Sequence, residues 1–227
     1  MVIETVGSLT SLSSLSVCKL WNKNDALIFL IDLKIDEQFD LSDLSNDEKE
    51  YLNTLKTNYF RKRFIGSRSF LKFILQHILK KESLLDISLY RNNAGRVCVH
   101  KHEDIYICIS YTGDLAAVSI SKLKTGIDIE YIRPIHFGNI SKGLLDTGSK
   151  RDLLQKDNVN KLKNWTLREA YCKLTDQSML ACLNKEIDLN DIDHQECVID
   201  NRYVLSVAFA SINDRINICY LQKGISI

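Results

Sequence analysis

The sequence predicts an α+β fold made of two similar halves, and three observations carry that expectation. Helical periodicity gives way to strand periodicity twice along the chain, and no Pro/Gly/Ser-rich linker interrupts it. The 227 residues are 45% hydrophobic, enough for one sizeable core or two small ones packed together. The halves are expected at residues 1–121 and 122–227, meeting near Lys122 to Gly126. No sequence repeat links them, so the duplication rests on element order.

Asp25 to Lys34 (DALIFLIDLK) reads as a strand, and Leu44-Ser45-Asn46-Asp47-Glu48 as the start of a helix. From Lys56 to Lys81 apolar residues recur at Phe60, Phe64, Phe70, Leu71, Ile74, Leu75 and Ile78, close to one helix face. That spacing predicts two helices, or one kinked at Gly66. The period then shortens: Ile87 to Tyr90, a turn at Asn92 to Gly95, and Val97 to Val99 predict a hairpin. Further strands are expected at Tyr106 to Ser110, Ala116 to Ser121 and Thr125 to Glu130. The single proline, Pro134, follows that last strand and is expected to redirect the chain. A long helical region is expected from Ile140 to Thr175, amphipathic between Leu162 and Leu174. Strand pattern returns at Cys197 to Ile199, Tyr203 to Ala208 and Ile216 to Leu221, with a turn at Asp200-Asn201. The Ser-rich start, Ser8 to Ser16, is expected to be flexible or to lead into a strand.

Thirty basic residues against twenty-nine acidic ones leave a formal charge of +1, which argues against a nucleic-acid coat over the whole surface. Seven cysteines are scattered through mostly apolar runs with no pair at metal-ligand or redox spacing, the pattern of reduced core thiols in cytoplasm. Glu4 precedes any basic residue and no sustained apolar run follows, so no secretory signal is expected. The longest apolar stretch, Ala26 to Ile31, is far too short to span a bilayer. The expectation is a soluble, cytoplasmic, monomeric protein with no membrane and no nucleic-acid partner.

Two motifs carry chemistry. In Thr125-Gly126-Ile127-Asp128-Ile129-Glu130 one residue separates two carboxylates on a strand, so Asp128 and Glu130 project from the same face. A hard divalent cation is one reason for such like charges to coexist, because Mg²⁺ is held by a few carboxylate oxygens, water and substrate phosphates. Taken alone, the pair is more often a solvent-facing strand edge than a cation site. The second motif, Trp165-Thr166-Leu167-Arg168-Glu169-Ala170-Tyr171-Cys172-Lys173, is helical in pattern and sets Glu169 and Lys173 four apart on one face. Taken alone, that is an exposed helix ion pair.

In combination and in this order, G-I-D-I-E and W-T-L-R-E-A-Y-x-K resemble the signatures of the Sfp-type 4′-phosphopantetheinyl transferase family, with Arg168 at a position usually occupied by lysine. The likeness extends from about Leu44 to Leu221, through Arg61-Lys62-Arg63 with Arg68, Gly95-Arg96-Val97 and Cys108 to Gly113. It implies a pseudo-dimer of two α/β halves, the first contacting the phosphates of coenzyme A and the second carrying the metal and catalytic residues. It also implies that 4′-phosphopantetheine is transferred from coenzyme A to a serine of an acyl or peptidyl carrier protein. Asp128, Glu130 and Glu169 would then bind Mg²⁺, or Mn²⁺, which accepts the same oxygen ligands. Lys173 would face the phosphates, Arg63, Arg68 and Arg96 would hold them through guanidinium forks, and Ser110 and Tyr111 would line the pocket. Glu169 is the expected base for the serine proton, with Glu130 as the alternative. A non-catalytic module that binds coenzyme A or a carrier is the rival expectation.

The sequence also departs from the family. Tyr111 replaces a histidine, losing a possible cation while keeping a hydroxyl donor. Asp176-Gln177-Ser178-Met179 replaces a glycine-containing turn, and the F-x-x-x-E stretch before the tryptophan helix is not recognisable. On a strand, the spacing of His100 and His102 would set both on one face, but no third ligand lies nearby in sequence, and there is no Gly-rich phosphate loop.

Overall fold

The computed structural model describes residues 3–6, 14–34, 41–133, 151–182, 192–210 and 216–223. Pro134 and residues 140–150 of the expected long helix lie outside them, as do residues 8–13 of the Ser-rich start. The strands are β1 (Ile3–Val6), β2 (Ala26–Asp32), β3 (Leu89–Arg91), β4 (Val97–Val99), β5 (Tyr106–Thr112), β6 (Leu115–Ser121), β7 (Thr125–Tyr131), β8 (Ile192–Ile199), β9 (Tyr203–Ala210) and β10 (Ile218–Lys223). The helices are α1 (Ser14–Lys23), α2 (Asn46–Thr54), α3 (Asn58–Leu79), α4 (Arg151–Thr175) and α5 (Met179–Cys182). The class is mixed α and β.

Local chemistry accounts for the helix boundaries. Ser45 caps α2 reciprocally: its hydroxyl accepts from the Glu48 amide (3.3 Å) and its own amide donates to the Glu48 carboxylate (3.0 Å). Thr57 caps α3 through the Phe60 amide, and Lys80 closes that helix in the left-handed region. Residues 58–79 form one continuous helix through Gly66, neither two helices nor a break. A glycine costs about 1 kcal/mol in a helix interior. Phe70, Leu71, Ile74 and Leu75, all buried on the core face, outweigh it. Ser14 to Ser16, expected to be flexible or strand-leading, belong to α1 instead.

The layers follow from side-chain alternation. On β2, Leu27, Phe29 and Ile31 face α3, with the Phe29 and Phe70 rings meeting edge-on at 5.1 Å. Ala26, Ile28 and Leu30 face the opposite way and pack with Ile127, Ile129, Leu205, Val207 and Phe209 from a second sheet. On that sheet's far side, Leu167, Ala170 and Leu174 of α4 meet Ile192 and Ala208. The stack is therefore helix, sheet, sheet, helix.

The first sheet runs β1-β10-β2-β6-β5 and the second β7-β9-β8. In the first, β10 lies parallel to both β1 and β2, so a strand from the end of the chain completes a sheet built otherwise from its beginning. The β8–β9 hairpin turns through Asp200, Asn201 and Arg202 between the paired residues Ile199 and Tyr203, and φ angles of 50° and 53° at Asp200 and Asn201 suit the turn expected there. Strand β3 begins at Leu89, later than the sequence suggests, because Ile87 closes a short 3₁₀ turn at Leu84–Asp86. Among the described residues no helix is long and apolar enough to cross a membrane.

Candidate functional site

Strand β7 is an edge strand of the second sheet, and its outer edge is closed by side chains. Cys108 Sγ, Ser110 Oγ and Thr112 Oγ1, alternate residues on one face of β5, accept the amides of Ile127 (3.3 Å), Ile129 (3.4 Å) and Tyr131 (3.0 Å). The inner edge pairs with β9, so these β7 amides do not go unsatisfied at the seam. This ladder fixes Ser110 beside Asp128, and the Ser110 hydroxyl donates to Asp128 Oδ1 at 2.6 Å.

Ile127 and Ile129 point into the core, so Gly126, Asp128 and Glu130 face α4. Gly126 is bare for a steric reason: a Cβ there would stand 1.8 Å from the Ala170 carbonyl oxygen and 2.6 Å from the Leu174 nitrogen. The helix backbone thus lies directly on the strand. One turn earlier, Thr166 and Ser206 hydroxyls meet at 2.6 Å and hold α4 against β9. The motif glycine and the helix motif serve one close packing, which brings Lys173 and Glu169 over β7.

Lys173 Nζ donates to Asp128 Oδ1 (2.7 Å), Ser110 Oγ (3.1 Å) and the Ile127 carbonyl (3.0 Å), and lies 3.9 Å from Glu169 Oε2. Asp128 is 3% exposed, which excludes the solvent-facing strand edge as its setting. Glu130 is half-buried, with Thr112 donating to its Oε2 at 3.4 Å. Burial and then the charge of Asp128 push the Glu130 carboxyl above the usual range. Glu169 is raised by burial, then by Asp128, with Glu130 adding to the effect and Lys173 opposing it. Burial works against the Lys173 ammonium, but the charge of Asp128 and its hydrogen bond leave it above the ordinary lysine value.

These residues can be tested against a hard divalent ion. Among the described residues no group of three His, Cys, Asp or Glu side chains is disposed to hold a metal, His100 and His102 included. Mg²⁺ needs fewer, since one or two carboxylates commonly suffice when substrate phosphates complete its shell. Asp128 Oδ2 is buried with no hydrogen-bond partner, an orphaned oxygen whose charge such an ion would neutralise. The raised Glu130 and Glu169 carboxyls feel the same negative charge. The donor chemistry fits Mg²⁺ through Asp128 and Glu130, with Glu169 adjacent.

Next to this cluster is a cavity of about 520 Å³ bounded by α3, the β3–β4 hairpin, β5 and the end of α4. Of the residues expected to face a ligand, Arg68, Arg96, Tyr111 and Lys173 line it, while Arg63 and Ser110 do not. Arg63 instead lies over the rings of Tyr59 (4.5 Å) and Tyr111 (4.9 Å), and its Nε donates to the Gly113 carbonyl (3.0 Å). The Tyr111 hydroxyl donates to Ser67 Oγ (2.7 Å), tying β5 to α3. Arg96 lines the wall but spends its donors on protein: Nε on Asp176 Oδ1 (3.1 Å), Nη1 on the Thr125 carbonyl (2.8 Å), Nη2 on the Lys173 carbonyl. Lys124 reaches the other Asp176 oxygen at 2.7 Å. Arg96 therefore fastens the end of α4 to the start of β7.

Sequence reasoning passes over Arg91, which also lines the cavity and donates from Nη1 to the Gly95 carbonyl at 2.6 Å. The available signal was two arginines, Arg91 and Arg96, straddling the turn at Asn92 to Gly95. Cys18, Cys98, Cys108 and Cys197 are free thiols, Cys108 among them buried. No protein-family model matches the chain, and no curated protein matches it.

Proposed function

We propose that this chain is a Mg²⁺-dependent 4′-phosphopantetheinyl transferase with the pseudo-dimer fold of that family. It would act as a cytoplasmic monomer that modifies a serine of an acyl or peptidyl carrier protein. The observation that carries the reading is the bare strand position Gly126, over which α4 delivers Glu169 and Lys173 to Asp128 beside an arginine-lined cavity.

The chemistry follows from the charges. The serine oxygen forms a bond to the β-phosphorus of coenzyme A, the phosphoanhydride bond breaks, and adenosine 3′,5′-bisphosphate leaves. Glu169, with its raised carboxyl, accepts the serine proton, and Glu130 is the alternative base. Lys173 neutralises charge developing on the leaving phosphate, and Arg68 and Arg96 line the cavity that takes the nucleotide end. Mg²⁺, when bound through Asp128 and Glu130, supplies Lewis-acid polarisation of the phosphate oxygens.

The test is mass spectrometry of several carrier domains incubated with the protein, coenzyme A and Mg²⁺. The expected result is the added mass of one phosphopantetheine group on at least one carrier; no addition on any would sink the assignment. A second reading, binding without turnover, draws on two contacts: Tyr111 directs its hydroxyl to Ser67, and Lys173 occupies Asp128 Oδ1. Calorimetry that records Mg²⁺-dependent coenzyme A binding without carrier modification selects that reading.

A further inference from the structure

Cys108, Ser110 and Thr112 repeat one contact along β7, but only the two hydroxyl residues make a second. All three are buried, and they accept the amides of Ile127, Ile129 and Tyr131 respectively. Closing the open edge of β7 accounts for those three bonds. It does not account for the destination of the two hydroxyl protons. Ser110 donates to Asp128 Oδ1 at 2.6 Å, and Thr112 donates to Glu130 Oε2 at 3.4 Å. The Cys108 S–H is directed instead to the Ile127 carbonyl, at 3.9 Å.

A hydroxyl has one proton and two lone pairs. At Ser110 both lone pairs meet donors, the Ile129 amide at 3.4 Å and the Lys173 ammonium at 3.1 Å. The proton is therefore left for Asp128, and the O–H cannot turn round without losing a bond. Asp128 Oδ1 accepts from Ser110 and Lys173 together, while Oδ2 is buried with no hydrogen-bond partner. The carboxylate is thus held by one oxygen and kept clear at the other. Thr112 repeats the arrangement two residues along: the Tyr131 amide meets one lone pair, and the proton goes to Glu130. Ser110 also lies off the cavity wall, so its hydroxyl serves the carboxylate rather than a ligand in the cavity.

We infer that Ser110 and Thr112 are positioning residues, each hydroxyl tying down one oxygen of a β7 carboxylate so that Asp128 and Glu130 are presented together to a divalent cation. Only the role of these carboxylates as ion ligands is taken from the transferase reading. Two like charges two residues apart repel, and free side chains would swing away from each other. A carboxylate oriented in advance loses less rotamer freedom when the ion arrives.

The experiment uses Mn²⁺ alone as the probe, titrated into the full chain without coenzyme A and followed by the paramagnetic resonance signal of the free ion. Ser110→Ala and Thr112→Val are each expected to weaken Mn²⁺ binding by about 10–100-fold, the usual effect of removing a partner that orients a metal ligand. Thr112→Ser, which restores a hydroxyl, should bind within about threefold of wild type. Cys108→Ala is the control. All three truncations strand one β7 amide and should lower the melting temperature. Cys108→Ala should nevertheless keep Mn²⁺ affinity within about threefold of wild type, because its thiol orients no carboxylate.

A loss of Mn²⁺ affinity in Cys108→Ala equal to that in the other two overturns the inference, since closing the strand edge would then explain all three. So does unchanged affinity in both Ser110→Ala and Thr112→Val, or a wild-type chain that binds no Mn²⁺. Should Ser110→Ala fail to fold, Thr112→Val against Thr112→Ser decides the matter alone. Hydroxyl-dependent Mn²⁺ binding without carrier modification removes the transferase and leaves the positioning role. Carrier modification with Mn²⁺ affinity indifferent to both hydroxyls does the reverse.

Discussion

The Ala170 carbonyl oxygen stands where a side chain on Gly126 would begin, 1.8 Å from an ideal Cβ. Both partners are backbone-anchored, so neither can swing aside. Gly126→Ala is expected to lift α4 off β7 and cost about 1–3 kcal/mol, the usual range for overpacking. Chemical denaturation measures that loss. Unchanged stability would mean that the helix does not lie on the strand this closely.

Lys173 and Asp128 form the next test. Truncating the lysine in Lys173→Met leaves a 3%-exposed carboxylate without its cation. Breaking a fully buried pair costs about 3–5 kcal/mol. With 30% of the lysine side chain in solvent, about 2–3 kcal/mol is expected here. Lys173→Met combined with Asp128→Asn should recover most of the loss, and a double-mutant cycle reads the coupling directly.

Glu169 ties function against stability. A carboxyl raised in the folded state binds its proton more tightly folded than unfolded. Its stabilising contribution is therefore complete below the ordinary value of 4.5 and disappears as pH rises through the raised folded value. Without divalent ions, Glu169→Gln should melt about 2–4 °C higher than wild type near pH 8, the shift expected from about 1 kcal/mol, with the gap closing in acid. The same variant should lose carrier modification. A gap independent of pH, or full activity, would remove the role given to this carboxylate.

Arg96 is expected to report on helix order. Replacing it with alanine removes donors to the Thr125 and Lys173 carbonyls and to Asp176. Amide exchange should accelerate in the last turn of α4 and at the start of β7 while α3 stays protected. Asp176→Asn should give a weaker version of the same pattern. Uniform exchange across the molecule would argue against a local fastening.

How much of this was legible depended on whether the information is local. Apolar alternation in Ile127 and Ile129 marks β7, and it sets Asp128 and Glu130 on the opposite face before any fold is known. The spacing of Glu169 and Lys173 likewise survives, because four residues make about one helical turn whatever the helix packs on. The pairing of β1 with β10 was harder: Ile3 pairs with Tyr220, and no local pattern records a partner that distant. Helix α1, SLSVCKLWNK, carries serines and a β-branched valine that disfavour helix, and tertiary contacts such as Val17 in the core override them. Arginine roles were the least legible. Charge identifies Arg63, Arg68, Arg91 and Arg96 as cations, but only the folded chain decides which one reaches a carboxylate, an aromatic face, a carbonyl or a cavity.

The parallel insertion of β10 between β1 and β2 sets the order of assembly against the order of synthesis. On the ribosome, β2 and β6 can join early, yet β1 has no neighbour until residues 218–223 emerge. Through that interval the Ala26–Asp32 strand, ALIFLID, keeps one hydrogen-bonding edge open. An apolar edge left waiting is the segment of a nascent chain most apt to pair with a stranger. Slower translation of the second half would therefore lengthen the period in which this protein is most vulnerable to aggregation.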